Sequence, residues 1–200
     1  MIKRYFDIIV SATFLVIFSP LFFLISFLLY FLQKKDVFYS QRRLGLNHYE
    51  FNIYKFCTMT NEVDKDNNLL PDIDRITRIG DFLRKTSLDE LPGFWNVFIG
   101  DMSIVGPRPL PVHYKDRYSY EQDKRHKVKP GITGWAQING RNAISWDEKF
   151  QLDVWYVKNY SIWLDLRILF LTINYVLSRK DIVPYNKDSM EEFTGTNTKD

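Results

Sequence analysis

The hydrophobic pattern opens with one long apolar run. From Ile8 to Leu32, IIVSATFLVIFSPLFFLISFLLYFL, no side chain is charged. A straight helix of that length would reach roughly 37 Å, enough to cross a hydrocarbon core of about 30 Å. It does not fit a signal peptide, being too long for an h-region and lacking a small-residue cleavage site after it. Ser19 and Pro20 stand at its midpoint. Proline removes a helical hydrogen bond and clashes with the preceding turn, so the run is predicted to kink or break there. Each arm would then be roughly 18 Å long, the depth of one leaflet. Both flanks are basic, with Lys3 and Arg4 before and Lys34, Lys35, Arg42 and Arg43 after, so the positive-inside rule gives no crossing direction. A re-entrant hairpin with both ends in the cytoplasm satisfies that rule. A kinked spanning helix is the alternative.

The pattern then changes period. VFYSQ and FNIYKF are short β-prone runs, the second read as strictly alternating, with Gly45 and Asn47 marking a turn between them. They predict a β-hairpin that carries Arg42, Arg43 and Lys55. TNEVDKDNNLLPD has no apolar period and reads as a loop. RITRIGDFLRK places Ile76, Ile79 and Leu83 at helical spacing, and DEKFQLDVWYVKN does the same for Phe150, Val154 and Val157, with Trp155 adjacent. WLDLRILFLTINYVL is too short and too charged at one end to span a bilayer. It reads either as an interfacial helix or as a buried core helix. The chain from Asp181 is polar and expected to be loosely ordered. These elements predict an α/β, mostly helical catalytic domain with a short β-hairpin, a re-entrant membrane hairpin broken at Ser19–Pro20, and interfacial amphipathic helices. The divisions are 1–35 (hairpin), 36–185 (domain) and 186–200 (polar tail).

Composition narrows the functional classes. Two hundred residues suffice for one domain with its own core. A net charge of +3 is too small to suggest a polyanion binder, so no nucleic-acid partner is expected. Cys57 is the only cysteine, which excludes an internal disulfide and is compatible with a cytosol-facing protein.

The candidate chemistry centres on SLDELPGFW, residues 87–95. Ser87 and Glu90 have the spacing of a capping box, and acids suit the positive end of a helix dipole. Alternatively Asp89 and Glu90 are a catalytic pair. Around them, Arg84 closes a basic helix. Arg108 sits between Pro107 and Pro109, a stiff presentation suited to bidentate phosphate binding. Gly100 and Gly106 are expected to leave backbone N–H groups accessible. KPGITGWAQINGRN adds Lys129 and Arg141. Arginines select anionic oxygens, and adjacent acids can recruit Mg²⁺, which takes one or two carboxylates plus substrate phosphates. A carboxylate can also act as nucleophile in phosphoryl transfer, and a helix dipole would hold Asp89 ionised for it.

With these residues in view, the chain resembles the bacterial sugar transferases, the monotopic phosphoglycosyl transferases, over essentially its whole length. The resemblance rests on KRYFD and the SP break, YKFCTM, the block LRKTSLDELP…NVFIGDMSIVGPRP, and KPGITGWAQINGRN. It is nearest to members consisting of the catalytic unit alone. GRNAISWDEKFQLDVWYVKN and EEFTGTN look most like members that load phospho-N,N′-diacetylbacillosamine onto undecaprenyl phosphate. The resemblance implies a monotopic enzyme on the cytoplasmic face of the bacterial inner membrane. Its donor would be a UDP-sugar and its acceptor undecaprenyl phosphate, with UMP released. Asp89 would be the nucleophile, forming an aspartyl-phosphosugar intermediate in a ping-pong mechanism, and Glu90 its Mg²⁺-binding partner. Arg84, Arg108 and Arg141 would bind substrate, Ser19 and Pro20 would break the hairpin, and Lys3, Arg4 and Asp7 would form a polar group at its start.

Three positions depart from the family pattern: Gly93 where Gln is common, Cys57 in place of Lys or Arg, and Lys129 in place of Arg. Gly93 and Cys57 bear on donor identity more than on reaction class. Two other readings use the same residues: a non-catalytic membrane-anchored scaffold whose acids only cap a helix, and a lipid-diphosphate phosphatase. No pattern in the chain specifies an oligomeric state.

Overall fold

The computed structural model describes residues 2–33, 36–140, 144–178 and 192–195. The apolar run forms helices α1 (Ile2–Ile17) and α2 (Ser19–Gln33), bent by 60° where they meet. Pro20 has no N–H for the Val16 carbonyl, and the Ser19 hydroxyl donates to that oxygen instead (2.8 Å). Phe18 and Phe22 still donate to the carbonyls of Phe14 and Phe18, 2.9 Å each, so the backbone bends without unravelling. No single described helix is long and apolar enough to cross a membrane, whereas the bent pair together meets that test by length and composition.

Helix α1 is inverted relative to a water-soluble helix. Its buried residues are Asp7 and Ser11, while Ile9, Val16 and Ile17 are exposed. Its polar groups hold the rest of the protein. Asp7 Oδ1 accepts from Ser103 Oγ and from the Ile104 N–H, both at 3.0 Å. Arg4 donates to the carbonyls of Val97 (2.6 Å) and Phe98 (2.7 Å). Those are late carbonyls of helix α5 (Gly93–Ile99), which lack helical partners. Lys3 donates to the Val105 carbonyl and pairs with Asp165. Lys3, Arg4 and Asp7 thus clasp the hairpin to the domain.

Strands β1 (Phe38–Leu44) and β2 (Glu50–Phe56) pair antiparallel, in register from Phe38 opposite Phe56 to Leu44 opposite Glu50. The predicted turn is present, with Asn47 and His48 both in the left-handed region. The expected strict alternation in β2 does not hold. Phe51 and Phe56, an odd number of residues apart, are both buried. They enter different clusters, Phe51 with Val97, Ile104 and Ile168 in the main core, and Phe56 with Ile25 and Leu29 of α2. A strand covered on both faces loses the two-residue period.

After a short helix α3 (Asp72–Arg75) comes α4 (Arg78–Lys85), capped by Thr77 Oγ1, which accepts from the Gly80 N–H (2.9 Å). Ile79 and Leu83 face the core as predicted, but Ile76 precedes the helix in extended backbone. Strands β3 (Ser103–Val105) and β4 (Gly131–Thr133) form a small parallel sheet. The amides of Gly100 and Gly106, expected to be free, donate internally to Asn96 and Thr133. At Gly106 the glycine permits backbone contact, since a Cβ would lie 2.3 Å from the Lys129 carbonyl.

Helices α6 (Tyr120–Asp123), α7 (Trp135–Asn139), α8 (Trp146–Asn159) and α9 (Ile162–Ser178) complete the domain. In α8, Phe150 and Val154 are buried as predicted and Val157 only partly, while Asp153 and Tyr156 are buried as well. In α9 the two faces differ. Ile168 and Asp165 are inside, while Trp163 and Phe170 are 80% and 66% exposed. The fold class is therefore mostly helical, with two small sheets among the described residues. Residues 179–191 of the polar C-terminal stretch lie outside the described residues, but Phe193 is not loose. It packs with Leu110, Tyr114 and Phe150.

Candidate active site

The acidic pair sits in a tight connection between α4 and α5. Ser87 takes φ 56°, a left-handed conformation that costs a residue with a Cβ roughly 1–2 kcal/mol. Its side chain makes no capping bond. Leu88–Glu90 then form a single 3₁₀ turn, and Pro92 precedes the first residue of α5. The capping box predicted from Ser87 and Glu90 is therefore absent. The pair also precedes α5 rather than lying in its first turn, so a helix dipole does not govern it. The strain at Ser87 turns the chain so that the Glu90 carboxylate points across to the hairpin.

Glu90 Oε1 accepts from Lys55 Nζ (2.6 Å) and from Arg108 Nη2 (2.7 Å). Burial would raise the Glu90 pKa, but the charges of Arg108 and Lys55 outweigh it and hold the carboxyl well below the usual carboxylate range. Glu90 in turn pushes Arg108 up, against the effect of burial. Asp89 moves the other way. Burial first, and the Glu90 charge second, raise it, opposed by Lys55, Arg108 and Arg84. The expectation that a dipole would favour its ionised form is thus corrected: desolvation dominates. Two adjacent carboxyls are driven apart in acidity by their surroundings, a pattern common where one fold runs acid and base chemistry together.

Glu90 lines a cleft open to solvent, and Asp89 adjoins it in sequence. The cleft is lined by the charged Arg43, Lys55, Glu90 and Arg108 and by the apolar Ile53, Met102 and Ile132. Arg108 is held from behind. Its carbonyl accepts from Arg125 Nη2 (2.7 Å), which also pairs with Asp153 (2.8 Å), and both side chains are almost fully buried. Arg84 donates from Nε to Thr58 Oγ1 (2.9 Å), near enough to Asp89 to lower its pKa. The structure brings Asp89, Glu90, Arg84 and Arg108 together. Arg141 lies outside the described residues. By sequence Lys55 and Arg43 are only cations of the hairpin. Their place at the site follows from how β2 crosses α5, where Asn96 Oδ1 accepts from the Tyr54 N–H and Asn96 Nδ2 donates to the Asn52 carbonyl.

The donor set suits a hard divalent cation. Both ion pairs of Glu90 fall on Oε1, which leaves Oε2 with the neighbouring Asp89 as carboxylate oxygens of the kind Mg²⁺ prefers.

A family model described as "Bacterial sugar transferase" matches residues 1–179. "Uncharacterized sugar transferase EpsL" of Bacillus subtilis (strain 168) is 50% identical over 98% of this chain and 96% of its own length. Longer relatives match as well. One is the UDP-glucose:undecaprenyl-phosphate glucose-1-phosphate transferase of Klebsiella pneumoniae, 43% identical over 86% of this chain. Another is the UDP-N-acetylgalactosamine-undecaprenyl-phosphate N-acetylgalactosaminephosphotransferase of Aeromonas hydrophila, 38% identical over 88% of it. The chain spans 39% and 44% of those two.

Proposed function

This chain belongs to the bacterial sugar transferase family, and on that premise we propose that it transfers a phosphosugar from a UDP-sugar to undecaprenyl phosphate, releasing UMP. Relatives whose printed names describe UDP-sugar donors and an undecaprenyl-phosphate acceptor support the reaction class. The observation that carries the proposal is Asp89 next to a Glu90 clamped by Lys55 and Arg108 at the edge of the cleft.

In the proposed sequence an Asp89 carboxylate oxygen attacks the phosphorus that bears the sugar. The bond from that phosphorus to the bridging oxygen breaks, UMP leaves with that oxygen, and an aspartyl-phosphosugar remains. A phosphate oxygen of undecaprenyl phosphate then attacks the same phosphorus. The bond to Asp89 breaks, the carboxylate is restored, and undecaprenyl-diphosphate-sugar forms. Burial makes Asp89 a stronger base, and so a better nucleophile, than a solvated aspartate. Arg108 and Lys55 supply positive charge where diphosphate oxygens would collect, and Arg84 supplies more beside Asp89. Glu90 and Asp89 would hold Mg²⁺, which when bound would neutralise charge on the donor diphosphate.

We place the site at the cytoplasmic face of the inner membrane, the bent α1–α2 pair entering the lipid and returning. The inverted burial of α1 and the exposed Trp163 and Phe170 of α9 support this placement. For the donor sugar we propose an N-acylated amino sugar, UDP-N,N′-diacetylbacillosamine in the first instance.

The test uses the full chain in detergent or nanodiscs with undecaprenyl phosphate, Mg²⁺ and a panel of UDP-sugars, reading UMP. Release that needs Asp89 and is lost in Asp89→Asn supports the reading. Full activity in that variant would remove Asp89 as nucleophile.

A further inference from the structure

Of the nine glycines in the chain, one has no reason in the fold to be glycine. Gly100 and Gly195 have positive φ. A Cβ on Gly45, Gly80, Gly106, Gly131, Gly134 or Gly140 would press to between 2.0 and 3.1 Å of neighbouring atoms. At Gly93 φ is not positive, and the nearest atom to an added Cβ is the Tyr54 carbonyl oxygen at 4.0 Å. Gly93 opens helix α5, where glycine is the weakest ordinary helix former, so neither backbone nor packing accounts for it. It lines the cleft, four residues after Asp89.

The atom nearest that space belongs to the outer edge of β2. Tyr54 turns its N–H away from β1, to Asn96 Oδ1 at 3.1 Å. In an antiparallel ladder the N–H and C=O of one residue point to the same side. The Tyr54 carbonyl therefore leaves the hairpin on the α5 side, toward the space over Gly93. Ile53, Met102 and Ile132 line the same cleft and give it apolar surface. A ligand group suited to this corner donates one N–H and carries a small apolar end.

We propose that Gly93 and the Tyr54 carbonyl form a subsite for an acylamino substituent of the donor sugar, with the amide N–H on the carbonyl and the acyl methyl against the apolar surface. The absent side chain at 93 keeps the space open, which makes Gly93 a specificity-determining residue. This rests on the transferase reading above.

The test compares the unmodified full chain with Gly93→Ala and Gly93→Gln, Gln being the residue common at this position in the family. Each protein receives two matched donors, UDP-N-acetylglucosamine and UDP-glucose, and UDP-N,N′-diacetylbacillosamine as a third. UMP release gives kcat/KM for each, and thermal unfolding confirms that each variant folds. The unmodified protein is expected to favour acylated donors. The preference should fall at least tenfold in Gly93→Gln and less in Gly93→Ala, mainly through KM. An equal loss on all donors, or an unchanged preference, overturns the subsite while leaving the transferase reading intact. No UMP release by the unmodified protein with any donor overturns both.

Discussion

Asp7, seven residues into the chain, accepts the backbone N–H of Ile104 in β3 at 3.0 Å, and it is almost completely buried. A carboxylate near the start of α1 thereby fixes that helix to the strand that leads into Arg108. Asp7→Ala would leave a buried N–H and the Ser103 hydroxyl unpaired, at about 1–3 kcal/mol for each group. A lower Tm and lost activity are expected, with Asp7→Asn milder because its carbonyl can still accept. Thermal unfolding in detergent together with UMP release checks this, and an unchanged Tm in Asp7→Ala would count against the clasp.

Asp89 is expected to trade stability for activity. Its folded pKa is raised, so ionised Asp89 opposes folding once the pH exceeds the unfolded carboxylate value near 3.9, and the cost is full above its folded pKa. Asp89→Asn should therefore raise Tm by a few degrees at pH 7 in EDTA while abolishing UMP release. A capping aspartate would behave otherwise, since Asn caps equally well and nothing would change.

Glu90 has the opposite sign. Its folded pKa is lowered, so the clamp stabilises the fold fully above the unfolded value near 4.3 and that contribution fades as pH falls through the folded pKa. Arg108→Gln removes the larger lowering influence, and the Glu90 pKa should rise. The acid limb of the activity profile should then move to higher pH, along with a loss of at least tenfold in kcat/KM. Profiles measured from pH 4 to 8 on both proteins decide it.

The buried pair Arg125–Asp153 (2.8 Å) supports Arg108 through its carbonyl. Asp153→Ala strands a buried guanidinium and should cost about 3–5 kcal/mol. The double variant Arg125→Met, Asp153→Leu should recover part of that. Denaturant unfolding of the three proteins is the check, and a double variant no better than the single would show that the pair is not acting as a unit.

The bend at Pro20 predicts topology. With Cys57→Ser as background, single cysteines at positions 2 and 36 should label from the same side of the membrane. Pro20→Ala restores an N–H for the Val16 carbonyl, now held by Ser19, and should shift part of the population toward opposite-side labelling. Opposite-side labelling in the unmodified protein would contradict re-entry.

Properties carried by neighbouring residues were legible in the chain. The apolar run, its break at Ser19–Pro20, the β-hairpin with its Asn47 turn and the helical stripe through Phe150 and Val154 all follow from steric and periodic rules over a few residues. The acidic pair was visible as a candidate for the same reason. What the chain alone did not decide was which groups meet. Ser87 and Glu90 have the spacing of a capping box, yet Glu90 finds stronger partners in Lys55 and Arg108, 35 and 18 residues away in sequence. The β2 alternation failed because two clusters claim opposite faces of one strand. The acidity of Asp89 follows burial and a neighbouring charge, which depend on three-dimensional surroundings and outweigh a local dipole. Local geometry is set by residues within one turn, whereas electrostatics and desolvation are set by whatever the tertiary fold brings within a few ångströms.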